Sequence, residues 1–243
     1  MSSAAAIELT VVVDSVLRMR EQQLWPHPDV LEFAMAAERA GVDGVLLSLH
    51  IQHVTVNDRD WRLLEGLHHA RVCLAVPPDG QLLQAVAASH AARCVLVPGT
   101  RHQHSSGGAL ATGIVADSLL RARETFNGTN IELAARIDPD IEALSVCSDA
   151  GLDAVEINTA AYALASRAEI RARRLDELQA CIGAAHACGL RVSVRGGLDF
   201  DNVGALTAFA QISEIRVGQA LLARALLEGI SASIARMRTV LGD

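Results

Sequence analysis

The sequence predicts an α/β protein folded as a (β/α)8 TIM barrel with extra helices, and three observations carry that prediction. Short β-rich runs recur roughly every thirty residues, the spacing of a strand–helix–strand unit. Helical periodicity lies between them, with short connections. A length of 243 residues suits one such barrel, so a single domain over residues 1–243 is expected.

Strands are predicted near 8–13, 43–48, 71–76, 93–97, 130–136, 153–158, 190–194 and 214–218. The second, sixth and seventh share a lead-in: Ala40-Gly41-Val42-Asp43-Gly44-Val45, Ala150-Gly151-Leu152-Asp153-Ala154-Val155 and Cys188-Gly189-Leu190-Arg191-Val192. In each, the glycine falls where a helix ends, in the left-handed conformation it adopts cheaply. Helical patterns are clearest at 29–40, 79–91, 139–150, 167–187 and 219–241. No dinucleotide-binding glycine loop follows the first strand, and no P-loop occurs. The longest irregular stretch, 98–112, follows the fourth strand, on the face where such barrels carry their sites.

Composition narrows the chemistry. Hydrophobic residues make up 51% of the chain and aromatic ones 3%, so Val, Leu, Ile and Ala must fill the core. Net charge is −7 with no run of like charges, which predicts no nucleic-acid partner. No charged-then-apolar leader or long apolar stretch is present, so no membrane association is expected and the cytoplasm is the expected location. Five cysteines without a CxxC pair predict buried, reduced thiols. All 21 basic residues are arginines. Without lysine there is no side-chain amine to form an imine, which excludes a covalent lysine mechanism.

Candidate site residues come from strand ends. Leu46, Ser48 and His50 share one face of the second strand, and the latter two point to the barrel mouth. His53, His102 and His104 lie on nearby loops. Four histidines at one rim invite a metal-dependent hydrolase, against the plainer reading of solvated loops or contacts to an anionic substrate. His68, His69, His90 and His186 fall on helices or their ends and read as surface. Arg195-Gly196-Gly197 after the seventh strand and Gly218-Gln219 after the eighth read as a phosphate site, or as simple tight turns. Asp14 ends the first strand. Glu156, inside the sixth, must be paired or protonated, and is either an acid–base group or a structural partner of an interior arginine.

These landmarks together resemble the pyridoxine 5'-phosphate synthase family over nearly the whole chain. The resemblance is carried by Asp14 through Arg20, Pro28-Asp29, Glu38 through Gly44, Asp58-Arg59-Asp60, and Leu96-Val97-Pro98 with Arg101. It continues in Glu156-Ile157-Asn158-Thr159 with Tyr162, Gly197-Leu198 with Asn202-Val203, and Val217-Gly218 with Arg224-Ala225. The family condenses 1-deoxy-D-xylulose 5-phosphate with 3-amino-2-oxopropyl phosphate, and the resemblance implies no metal, no organic cofactor and a homo-oligomer, dimer to octamer.

Departures from the family pattern cluster at the chemistry. Its catalytic His of the second strand is Ser48, its catalytic Glu of the third is Ala75, and its catalytic His after the seventh is Gly196. Arg195 replaces the preceding Gly, His50 an Arg that holds substrate, Thr55 a substrate-binding His, and Gln219 a His. A positioned acid or base is worth about 10²–10⁴ in rate, so three such losses predict that the ancestral condensation is gone or replaced. The expectation is a divergent family member binding a small phosphorylated or anionic molecule. Arg20, His50, Arg101, Ser105, Arg195, Gly197, Gly218 and Gln219 are the predicted ligand contacts, and Glu156 and His50 the predicted catalytic pair. The alternatives are an active synthase with relocated catalysts and the histidine-rim hydrolase.

Overall fold

A computed structural model describes residues 6–21, 27–49, 66–98 and 116–242. Eight strands close into one barrel in the order β1 to β8: Glu8–Val12, Gly44–Ser48, Arg71–Val76, Arg93–Leu96, Glu132–Ile137, Ala154–Asn158, Arg191–Arg195 and Ile212–Val217. Every neighbouring pair is parallel, including β1 with β8. Helices follow the strands and bury their apolar faces on the outward strand side chains, such as Leu9, Val45, Leu74 and Val155. The helix predicted over 219–241 is two helices, Gln219–Glu228 and Ile230–Leu241, because Gly229 between them takes a φ of 83°.

The shared lead-ins do more than turn the chain. Gly41 and Gly151 take the expected positive φ. The aspartate two residues on then receives a backbone N–H from the preceding strand: Leu9 donates to Asp43 at 2.7 Å and Leu133 to Asp153 at 2.8 Å. Each carboxylate thus satisfies an N–H near the start of the neighbouring strand. Glu38 works similarly, accepting N–H bonds of 2.9, 2.7 and 2.8 Å from His68, His69 and Ala70 and so fixing the approach to β3. His68, His69, His90 and His186 are all exposed. Four of the cysteines are buried and Cys188 is exposed; all five are free thiols.

Strand register stacks the inward side chains in layers contributed by alternate strands. From the N-terminal end these are Glu8, Arg71, Glu132 and Arg191, then Gly44, Arg93, Ala154 and Glu214, then Thr10, Cys73, Ala134 and Ser193. Above them come Leu46, Val95, Glu156 and Arg216, and then Val12, Ala75, Arg136 and Arg195. In these upper two layers apolar side chains fill the side of β1 to β4, while charge concentrates on β5 to β8.

Those charges form one continuous ladder. Arg136 and Arg216 both donate to Glu156, the latter at 2.6 Å. Arg216 also grips Glu214 at 2.8 and 3.0 Å, Glu214 pairs with Arg93, and Arg93 donates to Glu132 at 2.6 and 2.8 Å. Glu156 is 0% and Arg216 1% exposed. Burying an ion costs several kcal/mol unless partners compensate, so each rung depends on the next.

Two outcomes follow. Arg216→Met strands Glu156 and Glu214 without their shared partner and should cost about 3–5 kcal/mol, read by denaturant unfolding. Burial alone would raise the Glu156 pKa, but the Arg136, Arg216 and Arg195 charges bring it from 4.5 down to about 2. A depressed carboxylate stabilises the fold above its unfolded pKa, and that share is lost as pH falls from about 4.5 towards about 2. Glu156→Gln should flatten the stability–pH slope across that window.

Candidate anion site at the barrel mouth

The C-terminal ends of β1, β2 and β7 meet around one carboxylate. Asp14, at the start of the helix Asp14–Glu21, accepts the Ser48 backbone N–H at 2.8 Å and the Ser48 hydroxyl at 2.7 Å. Arg195 at the end of β7 donates to the same carboxylate at 2.9 Å. Burial would raise the Asp14 pKa, but the Arg195 charge and the Ser48 hydrogen bonds outweigh it and hold the group below its usual value. The carboxylate is ionised, and its position is fixed from three strands.

Beside it lies a cavity of about 180 Å³ lined by Arg18, Arg195, Gly196, Gly197, Gly218 and Gln219, among others. Glycine is required at these turns. Gly196 takes a φ of 131°, and a Cβ there would lie 2.5 Å from the Asn158 Oδ1 and 2.9 Å from the Ala160 N. That amide oxygen is already engaged by the Ala160 N–H at 3.0 Å, while the Asn158 Nδ2 donates to Asp138 at 2.8 Å. A Cβ on Gly218 would sit 2.9 Å from the Val12 carbonyl oxygen. Gly218 then opens the helix Gln219–Glu228 with no side-chain cap. The first N–H groups of a helix have no acceptor within it, and here Gly218 and Gln219 line the cavity.

Of the residues predicted from sequence, Arg195, Gly197, Gly218 and Gln219 come together in this one cavity. Glu156 lies beneath, one layer deeper than Arg195, with both oxygens held by arginines. The interior-arginine pairing that the sequence allowed is therefore present, and it leaves the carboxylate anionic rather than a proton donor at neutral pH. Arg20 is half-buried on the first helix; Arg18, two residues earlier, is the one lining the cavity. His50, Arg101 and Ser105 lie outside the described residues, as do His53, His102 and His104. Among the described residues, no group of three His, Cys, Asp or Glu is placed to hold a metal ion.

Arg136, Arg216 and Glu214 are parts of the mouth and its foundation that motif reading passed over. Their signal is parity: each sits at an inward position of its strand, in step with Glu156 and Arg195. A larger cavity of about 290 Å³ lies at the opposite end, around His68, His69, Arg71 and His90. It opens at the N-terminal ends of β3 and β4, whose conserved role in such barrels is structural rather than catalytic.

The architecture defines a TIM-barrel protein with a basic, glycine-lined mouth. Solved structures share that fold: a KGPDC from Streptococcus mutans superposes with a TM-score of 0.64 at 13% identity, covering 97% of each chain. A phosphoribosyl anthranilate isomerase from Thermus thermophilus gives 0.57 at 13% identity, covering 96% of this chain and 100% of that one. Identities this low speak to fold alone. Residues 9–243 match the family described as pyridoxal phosphate biosynthesis protein PdxJ, and the chain belongs to that family. A pyridoxine 5'-phosphate synthase from Syntrophotalea carbinolica is 28% identical over 234 residues, 96% of this chain and 98% of that protein.

Gly196→Ala tests the turn. Its Cβ meets Asn158 in a backbone conformation that L-residues rarely adopt, so the variant should lose about 1–3 kcal/mol, measured as a lowered denaturation midpoint.

Proposed function

We propose that this protein is a divergent PdxJ-family barrel that binds a small phosphorylated or anionic molecule at its C-terminal mouth. In this reading the ancestral condensation has been lost or replaced. The observation carrying it is the convergence of Arg18, Arg195, the Gly196-Gly197 turn and the Gly218-Gln219 helix start on one cavity. Arginine side chains supply charge-assisted donors, and the helix start supplies backbone N–H groups and the positive end of a dipole.

The same geometry disfavours proton chemistry. Ser48, Ala75 and Gly196 stand where the resemblance implies His, Glu and His, and the Ser48 hydroxyl is committed to Asp14 at 2.7 Å. Glu156 is ionised and doubly paired, and arginines do not exchange protons at physiological pH. What remains can attract and orient negative charge. Any surviving reaction would draw on that electrostatic grip, with His50 as the acid–base group nearest in sequence to the mouth. We place the protein in a homo-oligomer, dimer to octamer, with the exposed Leu226 and Leu227, 67% and 82% accessible, as apolar surface for such contacts.

Inorganic phosphate should raise the melting temperature, with about 2.7 kcal/mol of added stability at a concentration 100 times its Kd. Gln219→Glu separates binding from folding. An acidic residue in the first helical turn leaves the fold as stable or slightly more so, yet repels phosphate, so the ligand-induced shift should collapse. A normal shift in that variant would remove the helix start from the site. In a vitamin B6-requiring strain the gene should give no growth, and growth would overturn the loss of the condensation.

A further inference from the structure

Two arginine donors at the mouth are left without acceptors. The Arg136 Nη2 and the Arg195 Nη1 are buried, and neither has a hydrogen-bond partner within the described residues. Arg136 is only 6% exposed, so bulk water does not reach its guanidinium freely. A buried donor left unmade costs about 1–3 kcal/mol, and more for a charged group. Two in one place call for a common acceptor.

Register puts them in one place. Arg136 and Arg195 belong to the same inward layer, on β5 and β7, flanking Glu156 on β6. Like charges so disposed repel, and each lies within electrostatic reach of the other. The layer's remaining members, Val12 and Ala75, offer no acceptor and occupy little volume. Nearby carboxylates are already engaged. The Glu156 oxygens hold Arg136 Nε and Arg216 Nη1, and the Asp14 oxygens hold Ser48 and Arg195 Nη2. In these upper layers Arg136, Arg195 and Arg216 share the carboxylates Glu156 and Asp14, and Arg216 also holds Glu214 from below.

We infer that Arg136 and Arg195 form a second oxyanion subsite, in which one carboxylate group of the ligand accepts from the Arg136 Nη2 and the Arg195 Nη1. It is distinct from the glycine-lined cavity: Arg195 lines that cavity, whereas Arg136 does not. If the glycine turns hold a phosphate as proposed above, the ligand is a small molecule with two anionic groups. The arginine pair itself does not depend on that reading.

Calorimetric titration of the full chain with malonate, which carries carboxylates and no phosphate, tests the pair. Wild-type protein should bind malonate, and Arg136→Gln should weaken it about ten-fold or more, as loss of a charge-assisted hydrogen bond does. If that variant fails to fold, Arg136→Met combined with Glu156→Gln removes both members of the buried ion pair and asks the same question. Inorganic phosphate should still bind these folded variants within about three-fold of wild type, and should bind alongside malonate rather than displace it. Absence of malonate binding to wild type, unchanged affinity in a folded Arg136 variant, or mutual exclusion with phosphate would each overturn the second subsite. Loss of phosphate binding with malonate binding intact would instead sink the glycine-turn reading and leave the pair standing.

Discussion

Arg216 sits at the junction of the barrel's interior charge. It holds Glu156 beside it in the same layer and Glu214 below, and through Glu214 it reaches Arg93 and Glu132 near the N-terminal end. Each carboxylate of the ladder is shared by two guanidiniums, and the ladder ends towards the mouth on Arg136, whose Nη2 has no partner among the described residues. Such a chain is stable only when complete, because one missing member leaves a buried ion. It also fixes geometry. Glu156, one layer deeper, positions Arg136 through its Nε, and Asp14, at the mouth itself, positions Arg195 through its Nη2. The site inherits its shape from the core.

This foundation sets what the mouth can do. Guanidinium keeps its charge throughout the physiological range, and the carboxylates beside it are held ionised by that charge. Among the described residues the mouth therefore has a fixed electrostatic pattern rather than a titrating one. An enzyme that forms a ring must carry protons between partners; a pocket with constant charge is suited to recognising anions or to steadying negative charge as it develops.

The fold was legible because periodicity and punctuation agree. Gly41, Gly151 and Gly189 mark three helix-to-strand turns, and all three take positive φ. The paired turns after β7 and β8 were legible too, since glycine next to a helix start carries a recognisable pattern. The aspartates of the lead-ins were missed, because their acceptor role points back to a strand 34 or 20 residues earlier. The interior ladder was missed for a related reason. Glu214 and Arg216 read locally as an ordinary polar alternation, and only closure of the barrel brings Arg93, 121 residues away from Glu214, into contact with it. Glu156 stood out because its neighbours are apolar, yet its partners could not be read from strand β6 alone. The break at Gly229 was missed since helical periodicity continues in register across it.

Gly196 locks its corner of the mouth. Its backbone lies in a region closed to ordinary side chains, and the space a side chain would need is taken by the Asn158 amide. Arg195, the residue just before it, is tied to Asp14. Seating an imidazole at this turn would require the loop to re-form, Asn158 to vacate and Arg195 to release its carboxylate at once. The three are interlocked, so no single substitution could place a bulky side chain here without disturbing the others.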